Sequence, residues 1–136
     1  MKSDREIFDS FKVRIANKNT IDLTYLKPIL DDKDDERQSE LISESIQQIY
    51  DEYPDTTFNA YVDITALDDE RERVAIGSQA IYKGITKHPQ TGKIAIVGQR
   101  AIAPLYMKFI MRLIQTTNRN IKWFTDGTEA REWLNK

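Results

Sequence analysis

Short apolar runs alternate along this chain with longer stretches whose apolar residues recur about every three to four positions. Three of the runs have the length and composition of buried strands: residues 57–64, 94–97 and 121–124. Each is followed by a stretch with helical periodicity: residues 68–85, 101–115 and 126–134. Because strands that alternate with helices pair in parallel through right-handed crossovers, this order predicts an α/β fold.

A hairpin is predicted ahead of these units. Residues 12–16 and 20–26 alternate polar and apolar side chains, and Asn17 and Asn19 between them suit a tight turn. The segment before the hairpin, residues 3–11, fits either a short helix or a fraying end. The chain is thus expected to open with two antiparallel strands.

A first long helix is predicted over residues 37–53, where the apolar positions mark one helical face. The acidic run at 31–36 before it is interpreted as a solvated loop, with negative charge favourable at the helix N-terminus. A calcium-binding loop is excluded because its required glycine and its bidentate glutamate are both missing. Together these elements predict one domain over residues 1–136, a mixed sheet of about five strands flanked by about four helices.

Strand 94–97 carries the strongest buried-strand signal, and we expect it at the centre of the sheet with Ile96 buried. Trp123 and Phe124 should face opposite sides of the sheet, since neighbouring strand residues alternate. Trp133 is expected to cover the sheet edge.

Composition excludes several classes of function. The chain has no cysteine, which rules out disulfides, thiolate catalysis and Cys-based metal sites. The single histidine, His88, rules out a His-pair metal site and is expected to be solvated in a polar loop. A net charge of −2 gives no electrostatic case for nucleic acid. No cofactor, metal site or catalytic residue is therefore predicted.

Targeting features are also missing from the sequence. No stretch approaches the ~20 apolar residues that a membrane span requires. The charged N-terminal residues lead into no apolar run of signal-peptide length. We therefore expect a cytoplasmic protein with no membrane span.

The candidate binding residues follow predicted strands, where open α/β sheets collect ligands. Asp63 and Thr65 end one strand, and Gly98 and Arg100 lie between the next strand and its helix. Backbone N–H groups after Gly98, with Arg100 as counter-charge, would suit an anion. The alternatives are a tight turn at Gly98, a solvated Arg100 and a Thr65 that caps backbone.

Four segments, in this order, resemble those of a known family. They are an Asp–hydrophobe–Thr segment at 62–67, an apolar strand at 93–98, the Trp–Phe pair at 121–124 and the helix at 129–134. Residues 12–136 are similar to the stage II sporulation AA-like proteins, a branch of the STAS/Sec14-like superfamily. The resemblance implies a STAS-like sheet and a non-enzymatic interaction module that binds a protein partner.

In the anti-sigma-factor antagonists of that superfamily, a serine at the start of the helix after the third strand is phosphorylated. The matching position here is Asp69, which has no hydroxyl. The resemblance therefore implies a module without this switch, and Asp69 is expected to cap the helix. The Sec14-like side of the superfamily implies the alternative function, a carrier or sensor of a lipid or other small amphiphile.

Helix 101–115 is more apolar than packing on one sheet requires. Leu105, Phe109, Ile102 and Leu113 supply the expected core stripe, which leaves a surplus on the helix: Met107, Ile110, Met111 and Ile114. Either the N-terminal segment or a neighbouring helix covers this surplus, or it is an exposed strip. An exposed strip rich in methionine would bind a partner, a second copy in a homodimer, or an acyl chain.

Overall fold

Residues 1–67 and 74–136 are described by a computed structural model, and they form five strands and five helices. The strands are β1 (Phe11–Asn17), β2 (Thr20–Tyr25), β3 (Phe58–Asp63), β4 (Thr91–Val97) and β5 (Ile121–Phe124). The helices are α1 (Asp4–Phe8), α2 (Asp32–Glu52), α3 (Ile76–Lys87), α4 (Ala103–Thr117) and α5 (Gly127–Leu134). A 3-10 turn at Arg100–Ile102 leads into α4.

The five strands lie in the sheet in the order in which they occur along the chain. β1 and β2 pair antiparallel as a hairpin, and every other neighbouring pair is parallel. The predicted α/β fold with its N-terminal hairpin is therefore confirmed. The prediction that strand 94–97 lies at the centre is wrong. The hairpin adds two strands on one side, so the midpoint falls on β3, and β4 lies between β3 and β5.

The N-terminal segment, which the sequence left undecided, forms helix α1. Ser3 caps it, because the Ser3 hydroxyl oxygen accepts a hydrogen bond from Glu6 N while the Glu6 carboxylate accepts from Ser3 N. Ile7 is buried against α2 and the hairpin. α1 thus packs at the hairpin side of the sheet.

Helix α2 begins at Asp32, earlier than the predicted start at residue 37. Asp31 is its N-cap, and its carboxylate accepts hydrogen bonds from Lys33 N and Asp34 N over 3.0 Å each. The acidic run is therefore the first turn of a helix rather than a solvated loop. Its carboxylates lie where the helix dipole favours negative charge.

Helix α3 begins at Ile76, whereas the sequence predicts a start at residue 68. Residues 68–73 lie outside the described ranges, and Val74 and Ala75 are not helical. Ala75 N donates to the Asp35 carboxylate over 2.9 Å, which holds the start of α3 against α2.

The helices divide between the two faces of the sheet. Ile94 and Ile121 pack with α4, and Ile21 and Leu23 pack with α2 on the same face. The alternate residues on the other face, Ala95, Val97 and Phe124, pack against α5. Trp123 and Phe124 thus face opposite sides, as predicted, and Trp133 packs against Phe124.

The buried face of α4 is rotated from the one predicted. Ile110 is 1 % exposed and belongs to the core, whereas Leu105 is 41 % exposed and does not. Met107 and Met111 are exposed, at 38 % and 50 %. α1 does not cover them, because it contacts α2 and β1.

Candidate functional site

A cavity of about 150 Å³ lies between the sheet and helices α2, α3 and α4. Its wall is mainly apolar. The apolar lining from the strands is Ile21, Leu23, Ala60, Val62, Ile94, Ile96 and Ile121. The apolar lining from the helices and loops is Ile29, Ile46, Ile64, Leu67, Val74, Ile85, Phe109, Ile110 and Leu113.

The cavity exists because three groups of core side chains do not meet at the middle of the sheet. Val62 on β3 borders three separate core clusters, formed around α2, around α4 and around Ile64 with Ile102. Val62 and Ile96 are only partly buried, although both lie on interior strands beneath helices. Close-packed interiors leave few gaps of this size, so the space is a specific feature of this face.

Four polar side chains that line the cavity, those of Gln38, Tyr50, Thr86 and Thr91, form hydrogen bonds within the protein. Gln38 donates to the Ser10 hydroxyl over 2.9 Å. The Tyr50 hydroxyl pairs with Thr91 Oγ1 over 2.7 Å, and Thr91 Oγ1 in turn donates to Ile85 O over 2.7 Å. Thr86 Oγ1 donates to Tyr82 O. Each of these hydroxyl protons therefore has an acceptor in the wall.

Tyr25 and Tyr82 differ from these four residues. Their hydroxyl oxygens lie 2.5 Å apart in a single hydrogen bond. Burial is the main cause that raises the pKa of both phenols above the ordinary value, so both are neutral at physiological pH. Both side chains line the cavity, and both are partly buried.

The tyrosine pair lies near the carboxyl edge of the sheet. Tyr25 is the last residue of β2, which runs parallel to β3 and β4. Lys27, which is exposed, and Asp35 line the cavity as well, so it reaches the protein surface near this edge. Open α/β sheets bind ligands outside the carboxyl ends of their strands, and the cavity follows that rule.

The predicted residues Asp63 and Thr65 form a local turn at the end of β3. Asp63 Oδ1 accepts hydrogen bonds from Thr65 N over 2.9 Å and from Thr65 Oγ1 over 2.6 Å. Gln99 Nε2 donates to Thr65 O over 2.9 Å and ties this turn to the loop after β4. These contacts give both residues a structural part in the turn.

Gly98 and Arg100 lie beside that turn but differ in environment. Gly98 is buried, and a Cβ atom there would lie 2.6 Å from Trp123 Cη2 and 2.9 Å from Ile64 Cγ1. Glycine at this position therefore permits close packing after β4. Arg100 is exposed at the start of a three-residue 3-10 turn, which is too short to supply a helix N-terminus for an anion. Asp69 lies outside the described residues.

Met107 and Met111 lie away from this edge, on the solvent-facing flank of α4. The opposite flank of α4 faces α3, where Arg112 Nη1 donates to Gln79 Oε1 over 3.3 Å. The structure therefore groups Asp63, Thr65, Gly98 and Arg100 at one edge and separates the methionines from them.

His88 is packed rather than solvated, contrary to expectation. Its ring lies 4.5 Å from that of Tyr50, and its Nδ1 accepts a hydrogen bond from Gln90 N over 3.1 Å. His88 thus stabilises the loop before β4.

Sequence reasoning missed Tyr25 and Tyr82 because they are 57 positions apart and each fits an ordinary core position. The signal that was present is a tyrosine at the end of an apolar strand and another on the inner face of α3. Burying a phenol requires a hydrogen-bond partner, so two such residues invite a search for a shared one.

In residues 1–67 and 74–136, no three His, Asp or Glu side chains lie close enough to hold a metal ion. No helix there is long and apolar enough to cross a membrane. The cavity must be interpreted from its own geometry, because comparisons with protein-family models, curated proteins and solved structures found no match to this chain.

Proposed function

We propose that this protein binds a small, mainly apolar molecule in the cavity between its sheet and helices α2, α3 and α4. The observation that carries the proposal is an apolar space of about 150 Å³ at the middle of the core. An apolar cavity of about that size is large enough for a benzene-sized molecule. Drug-sized ligands occupy about 300–1,000 Å³, so a small amphiphile fits this cavity better than a long-chain lipid.

This function is one of binding without catalysis. Asp63 and Thr65 at the carboxyl edge are engaged in the hydrogen bonds of a local turn. The protein would act in the cytoplasm as a carrier or sensor. Native mass spectrometry of protein purified from cells should then detect a bound molecule of small mass.

Filling the cavity should abolish binding without unfolding the protein. Val62→Phe places a ring in space that borders three core clusters. We expect its affinity for a small aromatic probe to fall by about tenfold or more. The free energy of unfolding should change by less than about 1 kcal/mol, because the ring enters existing space. Isothermal titration calorimetry and urea unfolding measure the two quantities.

Ile15→Phe is the matched control for Val62→Phe. Ile15 lies on β1, is 38 % exposed and does not line the cavity. This variant should bind the probe as the parent protein does. If Val62→Phe also retains full affinity, the probe binds elsewhere and the cavity is not the site.

A second candidate function, a protein-interaction module of STAS type, is supported by the exposed flank of α4. Met107, Met111 and the partly buried Ile114 lie within about 60° of one another around the helix. Flexible methionines suit adaptable protein contacts. The family resemblance favours a partner protein or a second copy of the chain at this surface.

Met107→Glu combined with Met111→Glu tests the interaction surface. Because both side chains are exposed, we expect the melting temperature to remain nearly unchanged while self-association or partner binding is lost. Analytical ultracentrifugation and thermal unfolding check the two outcomes. Ile110→Glu, one residue from Met111 but 1 % exposed, should unfold the protein. Unfolding of the methionine variant would instead identify the strip as ordinary core.

A further inference from the structure

We infer that the cavity selects ligands that carry a neutral hydrogen-bond acceptor, such as a carbonyl or an ether oxygen, and that the Tyr25–Tyr82 hydroxyl pair donates to it. The inference rests on the proposed function, since it concerns the polar end of the ligand in the same cavity. It follows from the two hydroxyl protons of Tyr25 and Tyr82, of which only one is used in the hydrogen bond between them.

Two neutral phenols bring two O–H donors to the pair. Their mutual hydrogen bond, over 2.5 Å, uses one of the two protons. Within the described parts of the chain, no acceptor lies within hydrogen-bond distance of the second proton. An O–H donor that faces an apolar cavity without a partner costs free energy, and a ligand oxygen would remove that cost.

The other hydroxyl pair in the wall shows how such a proton is usually satisfied. Tyr50 and Thr91 also share one hydrogen bond, and the Thr91 hydroxyl donates a second hydrogen bond to Ile85 O. That pair is complete without a ligand. The Tyr25–Tyr82 pair has the same chemistry, but residues 1–67 and 74–136 supply no terminal acceptor for it, so the difference lies in the surroundings and not in the residue types.

The apolar wall favours a neutral acceptor over a carboxylate. Lys27 and Asp35, one cation and one anion, both line the cavity, so its charged groups do not select an anion. Moving a carboxylate from water into an apolar space carries a large desolvation cost. A carbonyl or ether oxygen accepts a hydrogen bond from a tyrosine hydroxyl without that cost.

The test compares two probes of nearly the same shape, acetophenone and α-methylstyrene, which differ by C=O in place of C=CH₂. Isothermal titration calorimetry on the full chain measures both dissociation constants. We expect acetophenone to bind about five- to tenfold more tightly, the usual size of one buried hydrogen bond. The preference should disappear in the double variant Tyr25→Phe with Tyr82→Phe, which keeps both rings and removes both hydroxyls.

Three further variants sharpen the assignment. Tyr25→Phe or Tyr82→Phe alone leaves one hydroxyl whose proton is still free, so each single variant should keep the preference. Tyr50→Phe is the control, because its hydroxyl has no spare proton, and it should also keep the preference.

An independent measurement does not depend on any variant folding. The infrared carbonyl stretch of ¹³C-labelled acetophenone bound to the parent protein should lie below its frequency in an apolar solvent, because donation by an O–H group weakens the C=O bond. An unshifted band would overturn the inference.

The outcomes separate the inference from the proposed function. Equal affinity for the two probes overturns the acceptor inference and leaves cavity binding in place. A preference that persists in the double variant overturns the assignment to the tyrosine pair. If neither probe binds the parent protein, both the inference and the proposed function are wrong.

Discussion

Replacing Arg131 by methionine should lower the free energy of unfolding by about 2–4 kcal/mol. Arg131 on α5 forms a bidentate salt bridge with Asp22 on β2, in which both N–O distances are 2.7 Å. The Asp22 side chain is 5 % exposed, so losing its partner strands a carboxylate in the protein interior. Because the Arg131 side chain is 38 % exposed, we expect less than the full cost of breaking a wholly buried pair.

Arg131 also anchors α5 through its guanidinium group, which stacks 3.5 Å from the Tyr61 ring centroid on β3. The hydrogen bonds that Arg131 donates to Asp22 are the main cause that raises the pKa of Arg131, so the arginine stays charged. Within the described residues, α5 is the only helix that packs on this face of the sheet. The Arg131–Asp22 pair joins α5 to β2, and the contact between Arg131 and Tyr61 joins it to β3. Urea unfolding followed by tryptophan fluorescence measures the loss, since Trp133 lies on the same helix.

Arg14→Met is the matched control, because Arg14 contacts the same carboxylate. Its distance is 3.5 Å and its side chain is 62 % exposed, so its removal should cost less than about 1 kcal/mol. Equal losses from the two variants would contradict the assignment of Arg131 as the main partner. In the double variant Asp22→Val with Arg131→Met, part of the loss should be recovered, since no charge is then left buried.

The order of the elements could be predicted because each element has its own periodicity. Strands such as 121–124 and helices such as 126–134 differ in the spacing of their apolar residues, and alternation of the two types implies a parallel sheet. The centre of the sheet could not be predicted in the same way. β3 and β4 are both apolar interior strands, and only the side on which the hairpin pairs decides between them.

Helix starts were harder because the same residues suit two structures. Aspartates at 31–35 are favourable in a solvated loop and equally at a helix N-terminus. The hydrogen bonds that Lys33 N and Asp34 N donate to the Asp31 carboxylate favour the helix, and they exist only in the folded geometry. On α4, Ile110 and Leu105 are equally apolar, so the rotation of the helix against the sheet determined which one is buried.

The cavity could not be predicted because its wall has the composition of an ordinary core. Val62 and Ile96 fit the pattern of buried strand residues, and what distinguishes them is that each lies between separately packed clusters and lines the cavity. The predicted residues Asp63, Thr65, Gly98 and Arg100 lie together at the carboxyl edge, because parallel strands end at the same edge of the sheet. Their hydrogen bonds, such as that from Gln99 to Thr65 O, depend on loop geometry that the sequence pattern does not contain.

Two isoleucine-to-alanine substitutions should lower the free energy of unfolding by very different amounts, because Ile96 lines the cavity and Ile42 does not. Ile42→Ala on α2 should lower the free energy of unfolding by about 3–5 kcal/mol, because Ile42 is 0 % exposed and its removal opens a new void. Ile96→Ala on β4 should lower it by only about 1–2 kcal/mol. Ile96 already borders the cavity, so fewer of its contacts are lost.

Urea unfolding of both variants, without added probe, measures the contrast. Ile42 does not line the cavity, whereas Ile96 does, and the side chain removed is identical in the two cases. The difference of about 2 kcal/mol therefore reports how well each site is packed before the substitution. Equal losses would mean that core side chains close over Ile96 in solution. The proposed binding site would then lack the space it requires, whatever the affinity of a probe.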